Sequence, residues 1–143
     1  MKYLLGTNVI SELVAREPDP DVVAWVDDLD PSFVYLSVIT IGEIKRGVAR
    51  LPDSQRRQEL HHWLHHDLLL QFGDRILAMN TAVMLTWGEL TAQTGRTLPA
   101  IDSLLAATAL HHDCVLVTRN EKDFAGTGLT VINPWLGTDL VDG

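Results

Sequence analysis

The chain has 143 residues, with 11 basic against 19 acidic side chains and a formal charge of −8. That length suits one domain over residues 1–143, burying roughly two thirds of the surface its unfolded chain exposes. The acidic balance opposes indiscriminate attraction to nucleic acid and favours a basic protein partner; with no run near the roughly eighteen apolar residues of a span and no secretory pattern at the amino terminus, no membrane partner is expected.

Tyr3-Leu4-Leu5 is a short apolar run that breaks into Gly6-Thr7-Asn8 and then into the helical pattern Val9-Ile10-Ser11-Glu12-Leu13. A buried strand handing directly to a helix puts position 6 at a carboxyl end of the sheet, where open α/β folds build their sites. Asp19 as N-cap and Pro20 at the first helical position open a second helix to about Leu29, striped by Val22, Val23, Trp25 and Val26. Phe33–Leu36 is a β-rich run, and Thr40-Ile41-Gly42-Glu43 opens a helix reaching about Arg50. Pro52-Asp53-Ser54 punctuates; a long helix from about Gln55 to Leu70 follows, then Gly73-Asp74 and the apolar run Ile76–Met79.

Two further helices, from about Thr81 to Gln93 and from Pro99 to His111, are separated by the breaker Thr94-Gly95-Arg96. Val115–Thr118 and Leu129–Ile132 complete the strands, and the tail after Trp135 is expected to be loosely ordered. The single Cys114, beside Val115-Leu116-Val117, fits a buried thiol in a reducing, cytoplasmic compartment. Parallel neighbours need crossovers, so strands alternating with helices predict an α/β fold of three layers with a mainly parallel central sheet.

Three acids fall where these elements converge: Glu43 inside the helix after the second strand, Asp102 early in a later helix, and Asp123 in the loop after Val115–Thr118. Clustered carboxylates suit a hard cation such as Mg²⁺, which lowers the pKa of a bound water and stabilises charge on a phosphodiester. Each acid also has an ordinary explanation. Thr40-x-x-Glu43 is a capping box, Asp102 complements a helix dipole, and Asp123 suits a polar turn. Their joint occurrence at strand ends, with Thr7, Thr118 and Asn120 as short polar groups, favours a site.

Arg46 and Arg50 lie at i+3 and i+7 from Glu43 and share its helical face, so they can hold phosphate oxygens, as can Arg119; surface solvation is the alternative for all three. The i, i+4 pairs His61/His65 and His62/His66 invite a zinc reading, but they do not make H-E-x-x-H and no third ligand is evident. Trp25, Trp63, Trp87 and Trp135 are most simply core or interface anchors.

On these residues the chain resembles PIN-domain proteins, specifically the VapC-type toxins of bacterial toxin-antitoxin pairs and the related plasmid stability proteins. Four blocks carry the resemblance: L-L-x-T-N-V-I-S-E-L from Leu4, Leu36-Ser37-Val38-Ile39-Thr40 running to Glu43, Ile101–Ala109, and Val117–Phe124 with Ile132-Asn133-Pro134-Trp135. The resemblance implies a Mg²⁺- or Mn²⁺-dependent endoribonuclease that cuts RNA, forms homodimers and is silenced by a cognate antitoxin. DNA enters only through that antitoxin. It further implies Glu43, Asp102 and Asp123 as metal-binding acids, with Thr7, Thr118 and Asn120 in support.

The departure from the pattern is Gly6, where the family places an aspartate as a principal metal ligand. The expectation is a scaffold inactive or impaired in this form; a glycine serving only a tight strand-to-helix turn is the structural alternative. A binding module that holds an antitoxin without chemistry, in plasmid stability or promoter autoregulation, is the competing functional class. A nucleotide-binding doubly wound domain is disfavoured, since no glycine-rich phosphate loop follows a predicted strand.

Overall fold

A computed structural model describes residues 1–136, so the expectation for the last part of the tail, residues 137–143, lies outside the described residues. Five strands, β1 (Lys2–Leu5), β2 (Val34–Ser37), β3 (Ile76–Leu77), β4 (Cys114–Val117) and β5 (Val131–Ile132), form one sheet in the order β3-β2-β1-β4-β5. Every pairing is parallel, with Tyr3 opposite Val34 on one side of β1 and Val115 on the other. The helices are α1 (Thr7–Val14), α2 (Pro20–Asp27), α3 (Val38–Ala49), α4 (Gln55–His62), α5 (Leu69–Phe72), α6 (Thr81–Gln93) and α7 (Ala100–His111). Among the described residues no helix is long and apolar enough to cross a membrane.

Alternation along the central strands builds two cores. Successive strand side chains point to opposite faces, so Leu5 and Val117 join Val9, Ile10, Ile44 and Leu64 on one face, while Leu4 and Leu116 join Val83, Leu90 and Ala106 on the other. The first core lies under α1 to α5, the second under α6 and α7, which gives the three layers expected. Cys114 is a buried free thiol in the second, and burial pushes its pKa up.

The elements follow the sequence closely, with three instructive differences. Asp19 caps α2 through Asp21 N at 2.9 Å, with Pro20 at the first position, but the helix ends at Asp27, short of Leu29. α3 begins at Val38, one turn fragment earlier than Thr40, because Ser37 Oγ accepts from Ile39 N at 3.0 Å and supplies the cap. The long helix runs to Phe72 but winds as a π-helix over Trp63–Leu68. Leu60, Leu64, Leu68 and Phe72 recur every fourth residue; such a row drifts by about 40° per step around an α-helix, and the wider i→i+5 winding returns it to the core.

The strand pair at the centre carries the fold. Leu116→Ala, removing a fully buried side chain from β4, is expected to lower stability by about 2–5 kcal/mol. Urea unfolding checks this as a lower midpoint with an unchanged slope.

Candidate active site

The chain builds the sheet outward from β1 through β2 to β3, then returns to the other side of β1 with β4 and β5. The crevice at the carboxyl ends of β1 and β4 is therefore the topological switch point, the place where such sheets bind ligands. Gly6 N donates to Val117 O at 2.8 Å and closes this seam. Asn8 then laces it: its Nδ2 donates to Thr118 Oγ1 at 3.1 Å, and its Oδ1 accepts from Arg119 N at 3.4 Å. Thr118 Oγ1 also accepts from Asn120 N at 3.2 Å, so Thr118 and Asn120 fix the turn leaving β4.

A cavity of about 470 Å³ opens above the seam, lined by Gly6, Thr7, Glu43, Asp102, Thr118 and Asn120 among others. Thr7 Oγ1 donates to Glu43 Oε1 at 2.5 Å and approaches Thr40 Oγ1 at 3.4 Å. Thr40 is wholly buried inside α3 and Ser37 is the cap, so the capping-box explanation of Glu43 is corrected: its carboxylate turns to Thr7 across the crevice. Asp102 stands in the first turn of α7. Burial first, then the charges of Asp123 and Glu43, push its pKa above the usual aspartate range, and Arg96 opposes them. A helix N-terminus alone lowers an acid's pKa, so the dipole is not what dominates here.

Asp123 rides a 3₁₀ turn, Glu121–Phe124, anchored by the buried Phe124. Arg96 Nη2 pins that turn by donating to Asp123 O at 2.8 Å, Ala125 O at 3.0 Å and Lys122 O at 3.4 Å. Asp123 itself is exposed and outside the cavity lining. Among the described residues no three His, Cys, Asp or Glu side chains gather closely enough to hold one ion. The three acids thus share one electrostatic neighbourhood without forming a closed cage. Mg²⁺ is bound through one or two carboxylates and keeps several waters, and two carboxylates, Glu43 and Asp102, line this cavity.

Arg119 lines the cavity, whereas Arg46 and Arg50 are exposed on α3 and do not. The guanidinium beside Glu43's helix is instead Arg56, which lines an adjoining recess and donates to Val14 O at 2.8 Å. The rings of each histidine pair lie 4.4 Å apart between centroids, His62/His66 stacked and His61/His65 tilted, with the Lys45 ammonium 3.4 Å from His61 Nδ1 and 3.1 Å from His65 Nε2. Asn8, Glu12 and Trp135 line the cavity and Arg96 braces the Asp123 turn, although the sequence analysis gave none of the four a site role. Asn8 had a local signal, its place in the strand-to-helix break beside Thr7; Glu12 and Trp135 stand in the blocks that carry the resemblance, and Arg96 reaches the Asp123 turn through tertiary contacts.

The PIN domain model matches residues 3–128. Among curated relatives, the VapC ribonuclease Y4jK of Sinorhizobium fredii is 36% identical over 135 residues, covering 92% of this chain and 96% of that protein. Toxin FitB of Neisseria gonorrhoeae is 37% identical over 135 residues, covering 92% and 97%. The structure of FitAB bound to an IR36 DNA fragment superposes with a TM-score of 0.86 at 36% identity, covering 93% of this chain and 95% of that one. With this match and these relatives, the chain belongs to the PIN-domain family.

The strained charge of Asp102 has a readable consequence. An acid whose pKa is higher folded than unfolded binds its proton more tightly in the fold, so its ionised form costs stability at neutral pH; the cost fades as pH falls through the raised value to the ordinary one. Asp102→Asn is therefore expected to raise Tm at pH 7, with the gain shrinking into the acid range. Thermal melts across a pH series check the convergence.

Proposed function

We propose that this chain is the toxin of a toxin-antitoxin pair, built on a metal-dependent endoribonuclease scaffold that Gly6 leaves silent or severely impaired. The observation that carries the reading is the cavity at the β1/β4 switch point, walled by Glu43 and Asp102 with Gly6 at the position where the resemblance calls for aspartate. The names of the relatives, a ribonuclease and a toxin, support the same reading.

Glu43 and Asp102 would hold the ion, and Asp123 adds its negative field. When bound, Mg²⁺ or Mn²⁺ activates a water and screens the charge of an RNA phosphodiester. Thr7 keeps Glu43 turned into the cavity, Asn8 with Thr118 and Asn120 fixes the β4 turn, and Arg119 neutralises phosphate. The formal charge of −8 suits a basic antitoxin segment. We take the working form as a cytoplasmic homodimer that meets DNA only through the antitoxin, in keeping with the DNA-bound FitAB relative. The absence of a three-acid cage among the described residues favours a second reading, a non-catalytic module that acts by holding the antitoxin.

Position 6 is the N-cap of α1 with φ −73° and ψ 164°, an extended conformation open to any residue. The backbone therefore does not require glycine there. A Cβ at this position would lie 3.1 Å from Val117 O and 3.6 Å from Asn8 Oδ1, so a side chain there requires the Val117 carbonyl to give by a few tenths of an ångström. Aspartate is also among the preferred N-caps, within a few tenths of a kcal/mol of glycine or better.

Gly6→Asp is expected to cleave RNA with Mg²⁺ or Mn²⁺ and to arrest growth, and Gly6→Asp/Asp102→Asn to do neither. The assay compares both with the Gly6 chain, with and without chelator. If Gly6→Asp folds yet cleaves no faster than the Gly6 chain, the silenced-nuclease reading is lost and the binding module stands.

A further inference from the structure

Arg119 is the one basic residue among the described residues lining a cavity otherwise furnished with Glu12, Glu43 and Asp102. Its main chain is held on both sides: its N–H donates to Asn8 Oδ1 at 3.4 Å, and its carbonyl accepts from Asn133 Nδ2 at 3.3 Å. Its guanidinium lies 5.3 Å from the centroid of the Trp135 ring. The indole is itself fixed. Trp135 N donates to Asn133 Oδ1 at 3.0 Å, its Nε1 donates to Glu12 Oε1 at 3.4 Å, and the ring packs against the core beneath α1 and α2. Glu12 is anchored in turn, with Oε2 accepting from Asp19 N at 3.0 Å.

An arginine spread on an aromatic face keeps its charge and its outward donors, and much of its rotamer freedom is already spent. Such a guanidinium meets a phosphate at a smaller ordering cost than a free one. A free arginine in this acidic cavity would instead fold onto a carboxylate; here Glu12 is occupied by the indole N–H and by Asp19, and the ring offers the cation another seat.

We propose that Trp135 is a positioning residue that holds the Arg119 guanidinium as the phosphate clamp of the cleft that Glu43 and Asp102 help to wall. The proposal rests on the ribonuclease-scaffold reading and adds to it the residue that preorganises the phosphate clamp.

The Gly6 chain itself serves for the test, because a silent scaffold lets binding be measured without cleavage. The probe is a short fluorescent single-stranded RNA at fixed Mg²⁺, followed by anisotropy over a range of KCl. Arg119→Gln is expected to weaken binding and to flatten the slope of log K against log salt by about 0.7, the loss of one phosphate contact on a single strand. Trp135→Leu is expected to weaken binding about two- to fivefold, the worth of an exposed cation–π contact, with the salt slope unchanged because the charge is still present. Trp135→Phe, which keeps a π face, is expected to restore most of the affinity. In the Arg119→Gln background, Trp135→Leu should add nothing.

Full affinity in Trp135→Leu, or an equal loss in both backgrounds, overturns the proposal and leaves the nuclease reading standing. Failure of the Gly6 chain to bind RNA at all overturns both. Should Trp135→Leu unfold, the NMR signals of the Arg119 side chain decide: ring-current displacement from the indole supports the proposal, and undisplaced signals overturn it.

Discussion

The seam between β1 and β4 is the constraint on which the rest depends. β1 is the central strand, paired with β2 on one side and β4 on the other, and its last hydrogen bond, from Gly6 N to Val117 O, holds the two carboxyl ends level. From that level the chain leaves in two directions, into α1 through Thr7 and Asn8 and into the turn through Thr118 and Asn120. Asn8 bonds both departures together, so the crevice has a fixed width before any ligand arrives. A slip of one residue in β1 would exchange Leu4 and Leu5 between the two cores and carry Thr7 away from Glu43. Packing and site geometry are therefore specified by the same register.

Placing acids around that crevice opposes the packing. Burial raises the cost of ionising half-buried Asp102, and the charges of Asp123 and Glu43 add to it. They are held there by elements whose stability comes from elsewhere: α3 through Ile44 and Val48, α7 through the buried run Leu105–Ala109, and the Asp123 turn through Phe124 below and Arg96 alongside. Arg96 works in two ways. Its bonds to main-chain carbonyls tie down the turn, and its charge partly offsets the field on Asp102. A divalent cation would offset the remainder, and that link between folding and ion binding is characteristic of sites assembled against their own repulsion.

Local signals were legible and tertiary ones were not. Asp19-Pro20 revealed the start of α2 because a capping side chain and a proline with no N–H act within three residues. Asn80 likewise caps α6, whose limits Thr81 and Gln93 agree with the pattern of the chain. Thr40 misled because its pairing with Glu43 mimics a capping box, while the working cap, Ser37, sits at the end of a strand where the alternation hides it. The arginines show the same limit. Arg46 and Arg50 share a helical face with Glu43 by arithmetic, yet neither lines the crevice or the recess beside it, where Gly47 follows Glu43 along the helix. Arg119 was legible as a phosphate candidate, but its seat against Trp135 and the grip of Arg96 on the Asp123 turn depend on partners far away in the chain, which no periodicity reports.

Position 6 joins these themes, since it is at once the end of β1, the N-cap of α1 and a wall of the cavity. An aspartate there would face two demands, the orphan amides at the start of α1 and any cation held by Glu43 and Asp102. Glycine meets neither. The helix keeps its cap geometry through Gly6 O, which accepts from Val9 N at 3.1 Å and Ile10 N at 3.3 Å, so the fold has no need of a side chain at this point. Glycine also spares Asp102 a further negative neighbour. Position 6 is thus one where the fold does not depend on a side chain, which is why a change there separates chemistry from stability more cleanly than a change at Glu43, tied to Thr7, or at Asp102, seated in the first turn of α7.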